Sequence, residues 1–168
     1  VAGVGTAVAL CRGKLKLAFD IGVSMPENVS ASHIFVSHCH TDHVGAIFSN
    51  ARARGMGGRR ATYYVPPGAR QYLEAARAAF EALDSYDSKP FAMDIVEVAP
   101  GDTVEITRDY CVRVFGVVHR VTAQGYCLFK IDRSGLRAGL PVPPDRLLPE
   151  VCYTGDTQFA GLLKYDLH

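Results

Sequence analysis

His38, His40, Asp42 and His43 put three imidazoles and one carboxylate into six consecutive residues. Imidazole nitrogen and carboxylate oxygen make up the donor set that suits zinc and similar first-row metal ions. In extended backbone His38, His40 and Asp42, at i, i+2 and i+4, project to one side. His43 adds a fourth donor where the chain turns towards a helix. A lone histidine is ordinarily a surface or core residue, but four donors this close together are hard to assign to packing. The chemistry implied is metal-assisted hydrolysis. Cys39 alternates to the other side of the extended stretch and is expected to pack rather than ligate. His33 is out of step with the cluster and is expected to be structural. His168, the last residue, carries no expectation.

The elements that must hold these groups can be read along the chain. Thr6 to Cys11 and Leu15 to Ile21 are apolar, β-branched-rich runs joined by Arg12-Gly13-Lys14, the pattern of a hairpin. The second run delivers Asp20 to a strand end. Pro26 to Ser32 reads as loop, and His33 to Ser37 as a short buried strand leading into the histidines. Val44 to Arg54 has apolar residues at helical spacing. Ala61 to Val65 is a strand stopped by Pro66-Pro67-Gly68. Gln71 to Asp84 is the clearest helix, with Tyr72, Leu73, Ala76, Ala79, Phe80 and Leu83 forming one apolar stripe. Further strands are expected at Met93–Val98, Thr103–Ile106, Cys111–Val118, Gly125–Ile131 and Val151–Thr154. Residues 132–149, rich in Pro, Gly and Arg, read as a mobile loop. Many short strands with few helices favour a layered α/β sandwich over a doubly wound sheet. Asp20, His38, His40, His119 and Asp156 all fall at or just after strand ends, where a rigid scaffold can converge side chains.

The length of 168 residues suits a single domain spanning 1–168, or a truncated larger one. With 48% hydrophobic and 21% charged residues the chain is an ordinary globular one, and a net charge of +1 gives no mandate for nucleic acid or membrane. Arg52, Arg54, Arg59 and Arg60 read as a solvated basic face. No run approaches a membrane span. The five cysteines are odd in number and form no CxxC pair. Cys11, Cys111, Cys127 and Cys152 lie in strand-like stretches as small apolar residues, so no disulfide and an intracellular, reducing compartment are expected.

His38-Cys39-His40-Thr41-Asp42-His43 resembles the HxHxDH signature of the metallo-β-lactamase superfamily, and it follows a hydrophobic strand as that family's motif does. Phe19-Asp20-Ile21-Gly22 resembles the strand-end aspartate of the same fold. Val118 to Tyr126 is similar to the H-x-V-x-S-x-G-Y segment of ribonuclease Z, the transfer RNA 3′-processing endonuclease, and Tyr153 to Thr157 to its T-G-D-T. Val65-Pro66-Pro67-Gly68 before a helix fits the short, plant-like form. The resemblance covers roughly residues 6 to 160.

The resemblance implies an αββα sandwich and a site of two zinc ions, with manganese or iron as alternatives. His38, His40 and His119 would hold one ion and Asp42 and His43 the other, with Asp156 bridging. Asp20 would orient a ligand from behind, and Asp42 would act on the attacking water. The expected partner is precursor transfer RNA. A homodimer is allowed, and no membrane is involved. The family's final ligand histidine and its proton-donating histidine have no match up to residue 168. The site is therefore expected to be unfinished within this stretch, and the sandwich incomplete at its C-terminal end. Only 36 residues lie between His119 and Asp156, room for at most a shortened RNA-gripping arm within 132–149. Arg133, Arg137 and Arg146 are the local hint of RNA contact, and no RNA-binding residue is assigned. Two other functions fit the residues less well. One is a hydrolase of the same fold acting on a thioester, lactone or β-lactam. The other is a non-catalytic RNA- or protein-binding module.

Overall fold

The computed structural model describes residues 5–84, 90–134 and 142–158. Its contacts divide the chain into two compact units, residues 1–98 and 99–168.

The first unit is a five-stranded sheet of order β1-β2-β3-β4-β5. β1 (Val8–Arg12) and β2 (Leu15–Phe19) form the expected antiparallel hairpin. β3 (His33–Phe35), β4 (Ala61–Val65) and β5 (Met93–Glu97) then add in parallel, each as the next neighbour. Parallel neighbours need crossovers. These are supplied by α1 (Pro26–Ser30), α2 (Thr41–Val44) with α3 (Ile47–Met56), and α4 (Arg70–Leu83). α1 lies where loop was expected. Its signal is Pro26 in the first turn, which presets the helical φ. The sheet always grows in one direction, and right-handed crossovers then keep every helix on one face. On that face Ala18, Ile34, Val36, Tyr63 and Val65 form a core with Ile47, Phe48, Ala51 and Leu73. Leu17, Phe19, Phe35 and Tyr64 alternate to the opposite face and are also buried.

Three expectations change in this unit. The apolar stripe of α4 is buried only in part: Leu73 is in the core, Ala76 packs against it and the Phe80 ring lies 5.0 Å from that of Phe48, but Tyr72 and Leu83 are 72% and 83% exposed. Arg54 is not on a solvated face. It is buried, donating to the carbonyls of Val29 at 2.6 Å and Arg60 at 2.8 Å, so it ties α1 and the approach to β4 to α3. Cys39 is exposed rather than packed.

The second unit is an antiparallel sheet of order β6-β7-β8-β9. Its strands are β6 (Thr103–Thr107), β7 (Tyr110–Gly116), β8 (Gln124–Ile131) and β9 (Leu147–Tyr153). β9 begins four residues before the expected strand, so Leu147 to Pro149 leave the 132–149 loop. A register irregularity at Leu128/Phe129 accommodates Pro149, which has no N–H to give the ladder. Pro144–Arg146 is a 3-10 turn. Arg146 pairs with Asp132 at 2.9 Å, and Asp132 N–H donates to the Arg146 carbonyl at 2.8 Å. Arg137 and the centre of the expected arm lie outside the described residues.

The second unit also overturns the expectation of no disulfide: Cys127 and Cys152 are bonded. They sit directly opposite each other on β8 and β9, with Cα atoms 4.1 Å apart. Strand pairing across 25 residues creates that proximity, and no local spacing announces it. The cysteine-based argument for a reducing compartment falls with it. Cys111 is a buried free cysteine, as expected, whereas Cys11 is exposed.

Candidate metal centre

The first unit builds its cluster around a buried carboxylate. Directly after β2 comes Asp20, which has φ +57°, the one non-glycine residue with positive φ among those described. A non-glycine residue in this region costs on the order of 1 kcal/mol and persists where its surroundings hold it. They do so here. Asp20 is fully buried and accepts the Ser37 N–H at 2.6 Å, the Ser37 hydroxyl at 2.8 Å and His43 Nδ1 at 2.6 Å. Next along the chain, Ile21 N–H donates to the His43 carbonyl and Ala46 N–H to the Ile21 carbonyl. Gly22 lies so close to the Asp42 carbonyl that a Cβ would meet its oxygen at 1.8 Å. The β2 end therefore clamps the α2 turn by backbone as well as by side chain.

This clamp places the histidines. β3 runs out at Phe35, and His38 follows beyond a bend at Ser37, fully buried. His40 precedes α2, its carbonyl accepting the His43 and Val44 N–H groups. Asp42 and His43 thus lie in a helical turn. The rings of His38 and His40 meet as expected, but Asp42 leaves the extended array, because the motif itself starts the helix. The His38 ring centroid is 4.5 Å from that of His40 and 4.1 Å from that of His43. His38 Nε2 faces His40 Nδ1 at 2.9 Å. His43 gives Nδ1 to Asp20, which directs Nε2 outwards, 3.7 Å from Asp42 Oδ2. Two ring nitrogens face to face, with a third beside a carboxylate that is 38% exposed, make a donor set that fits a divalent metal ion. Desolvation, and then the Asp20 carboxylate, raise the Cys39 thiol pKa to about 11, so it stays protonated at neutral pH. His33 stands apart from the cluster, its Nδ1 3.1 Å from the Tyr64 hydroxyl.

His119 and Asp156 belong to the second unit. His119 lies three residues beyond β7, further from the strand than expected, and Asp156 three beyond β9. Their loops are joined: Val118 N–H donates to Thr157 Oγ1 at 3.2 Å and Gln158 N–H to the Val118 carbonyl at 2.9 Å. One residue missed in the sequence is Ser37, which touches both Asp20 and His38. Its only signal was its place just before the motif.

Residues 18–164 match the family described as the Beta-lactamase superfamily domain. The nuclear ribonuclease Z of Triticum aestivum is 31% identical over 121 residues, covering 71% of this chain and 67% of the wheat protein. The chain belongs to the β-lactamase superfamily, in its ribonuclease Z branch. A tRNase Z of Arabidopsis thaliana is 28% identical over 159 residues, covering 85% of the chain and 56% of that protein. Among solved structures, the short form of human tRNase Z is similar with a TM-score of 0.62 and 17% identity, over 95% of this chain and 66% of that one. At that identity the likeness speaks for the fold, and it bears out the metallo-β-lactamase class expected from the motif. The chain spans about half the length of the curated relatives it matches. No described helix is long and apolar enough to cross a membrane.

Proposed function

We propose that this chain carries the metal site of an endoribonuclease that removes the 3′ trailer of precursor transfer RNA. The observation that carries the reading is the face-to-face approach of His38 Nε2 and His40 Nδ1, beside His43, which Asp20 holds from behind. It occurs in a chain whose curated relatives are named ribonuclease Z or tRNase Z. Imidazole and carboxylate donors favour zinc, and we assign two ions. On the motif resemblance, His38, His40 and His119 would hold one, Asp42 and His43 would hold the other, and Asp156 would complete the set. When bound, the ions supply a water nucleophile at neutral pH and offset charge on the phosphoryl oxygens. The protein's own part is to fix the imidazoles from behind and to leave one carboxylate open. Asp42 is that carboxylate, and its Oδ2 can orient the attacking water and take its proton. The compartment is intracellular, a reading supported by the names of the wheat relative, nuclear, and of an Arabidopsis relative, chloroplastic.

The full-length protein is expected to cleave a 3′-extended precursor transfer RNA in the presence of zinc, and His40→Ala to lower the rate by at least about 100-fold. Gel analysis of end-labelled precursor measures both. Turnover of a thioester by zinc-loaded protein that leaves the precursor intact would reject this reading for the small-molecule one.

A further inference from the structure

Ser37 is fully buried beside the first ligand and meets two different partners. Its hydroxyl donates to Asp20 Oδ2 at 2.8 Å, and its N–H donates to Asp20 Oδ1 at 2.6 Å. An ionised carboxylate only accepts, so the single hydroxyl hydrogen is committed to Asp20. What Ser37 Oγ has left is acceptor capacity, and it faces His38 Nδ1 at 3.0 Å. That contact is a hydrogen bond only if Nδ1 carries the proton. A neutral imidazole protonated at Nδ1 has its lone pair on Nε2. Nε2 is the atom that points at His40 Nδ1.

We propose that Ser37 is a positioning residue. Its hydroxyl relays the Asp20 carboxylate to His38, holds the ring in the Nδ1–H tautomer and presents Nε2 as the metal donor. Asp20 then sets two imidazoles with one charge: His43 by direct contact, and His38 through Ser37. Partners behind a ligating histidine fix tautomer and ring orientation and raise ligand basicity. The serine does this without bringing a second charge into a fully buried site, where an unpaired one would be heavily penalised. The proposal rests on the metal reading above, but the tautomer is a property of the metal-free protein and is measured separately.

Long-range 15N–1H correlation spectra of the metal-free chain, labelled at its histidine nitrogens, report the tautomer of each ring, and loss of signals in His38→Ala assigns His38. The wild type is expected to show His38 protonated at Nδ1. In Ser37→Ala the ring is expected to shift towards the Nε2–H form. Zinc affinity, measured by competition with a chromophoric chelator, should fall about 10- to 100-fold. Ser37→Thr keeps a hydroxyl and should restore both readouts. An Nε2–H His38 in the wild type overturns the proposal with no variant needed. So does a folded Ser37→Ala with unchanged tautomer and zinc affinity. A wild type with the expected tautomer that takes up no zinc removes the metal reading, and the donor role of Ser37 with it.

Discussion

Asp20 concentrates three demands on one side chain: a buried carboxylate, a left-handed backbone and three incoming hydrogen bonds. Each donor that it holds would be orphaned by its loss, at about 1–3 kcal/mol apiece. His33 shows the opposite case, a histidine outside the site whose environment disfavours charge. Burial of its ring, and then the Arg54 guanidinium, hold its pKa below the ordinary value of 6.5. Between the folded pKa and 6.5 the unfolded chain therefore binds more protons, and stability rises with pH across that window. Lowering the pH from 7.5 to 5.5 should reduce the urea midpoint more in the wild type than in His33→Asn. The two proteins differ at residue 33 alone, so the difference between the two slopes isolates His33. An equal slope would show that His33 charges freely in the folded state.

At the scale of elements, α4 separates periodicity from burial. Its stripe runs through Tyr72, Leu73, Ala76, Ala79, Phe80 and Leu83, yet the sheet takes up Leu73 and leaves Tyr72 and Leu83 outside. Leu73→Ala should cost about 2–3 kcal/mol, while Leu83→Ala stays within about 0.5 kcal/mol. Denaturant titration of the two variants distinguishes the burial seen here from the one that periodicity predicts. β8 and β9 supply a second test. The Cys127–Cys152 bond closes a loop of 25 residues, for which loop entropy gives about 3 kcal/mol. Thermal melting with and without a phosphine reductant should show that loss, and Cys152→Ser should melt alike in both buffers.

For the whole molecule, the metal reading makes stability a function of metal concentration. Zinc that binds only the folded chain stabilises it by about 4 kcal/mol at a thousand times its dissociation constant. A chelator should lower the melting temperature, zinc should restore it, and His40→Ala should abolish the difference. The HxHxDH run, the strand before it and the aspartate at the end of β2 were legible in the sequence because they are local: donor types, their spacing and strand-to-helix punctuation are written within a few residues. The hairpin and most strand positions followed from the same local signals, and the metallo-β-lactamase class from the resemblance of the motifs to that family. Ser37 was not legible as a relay, because its role depends on Asp20, 17 residues earlier, arriving on a neighbouring strand. The Cys127–Cys152 bond, buried Arg54 and the exposure of Tyr72 and Leu83 on α4 escaped for the same reason. Each depends on which distant segment lies opposite, and a periodicity or a residue count carries no term for that. The sequence by itself determined the donors and the order in which they arrive. Only the tertiary structure decided which nitrogen of His38 and His43 is turned towards the site, because a tautomer is set by the partner on the far side of the ring.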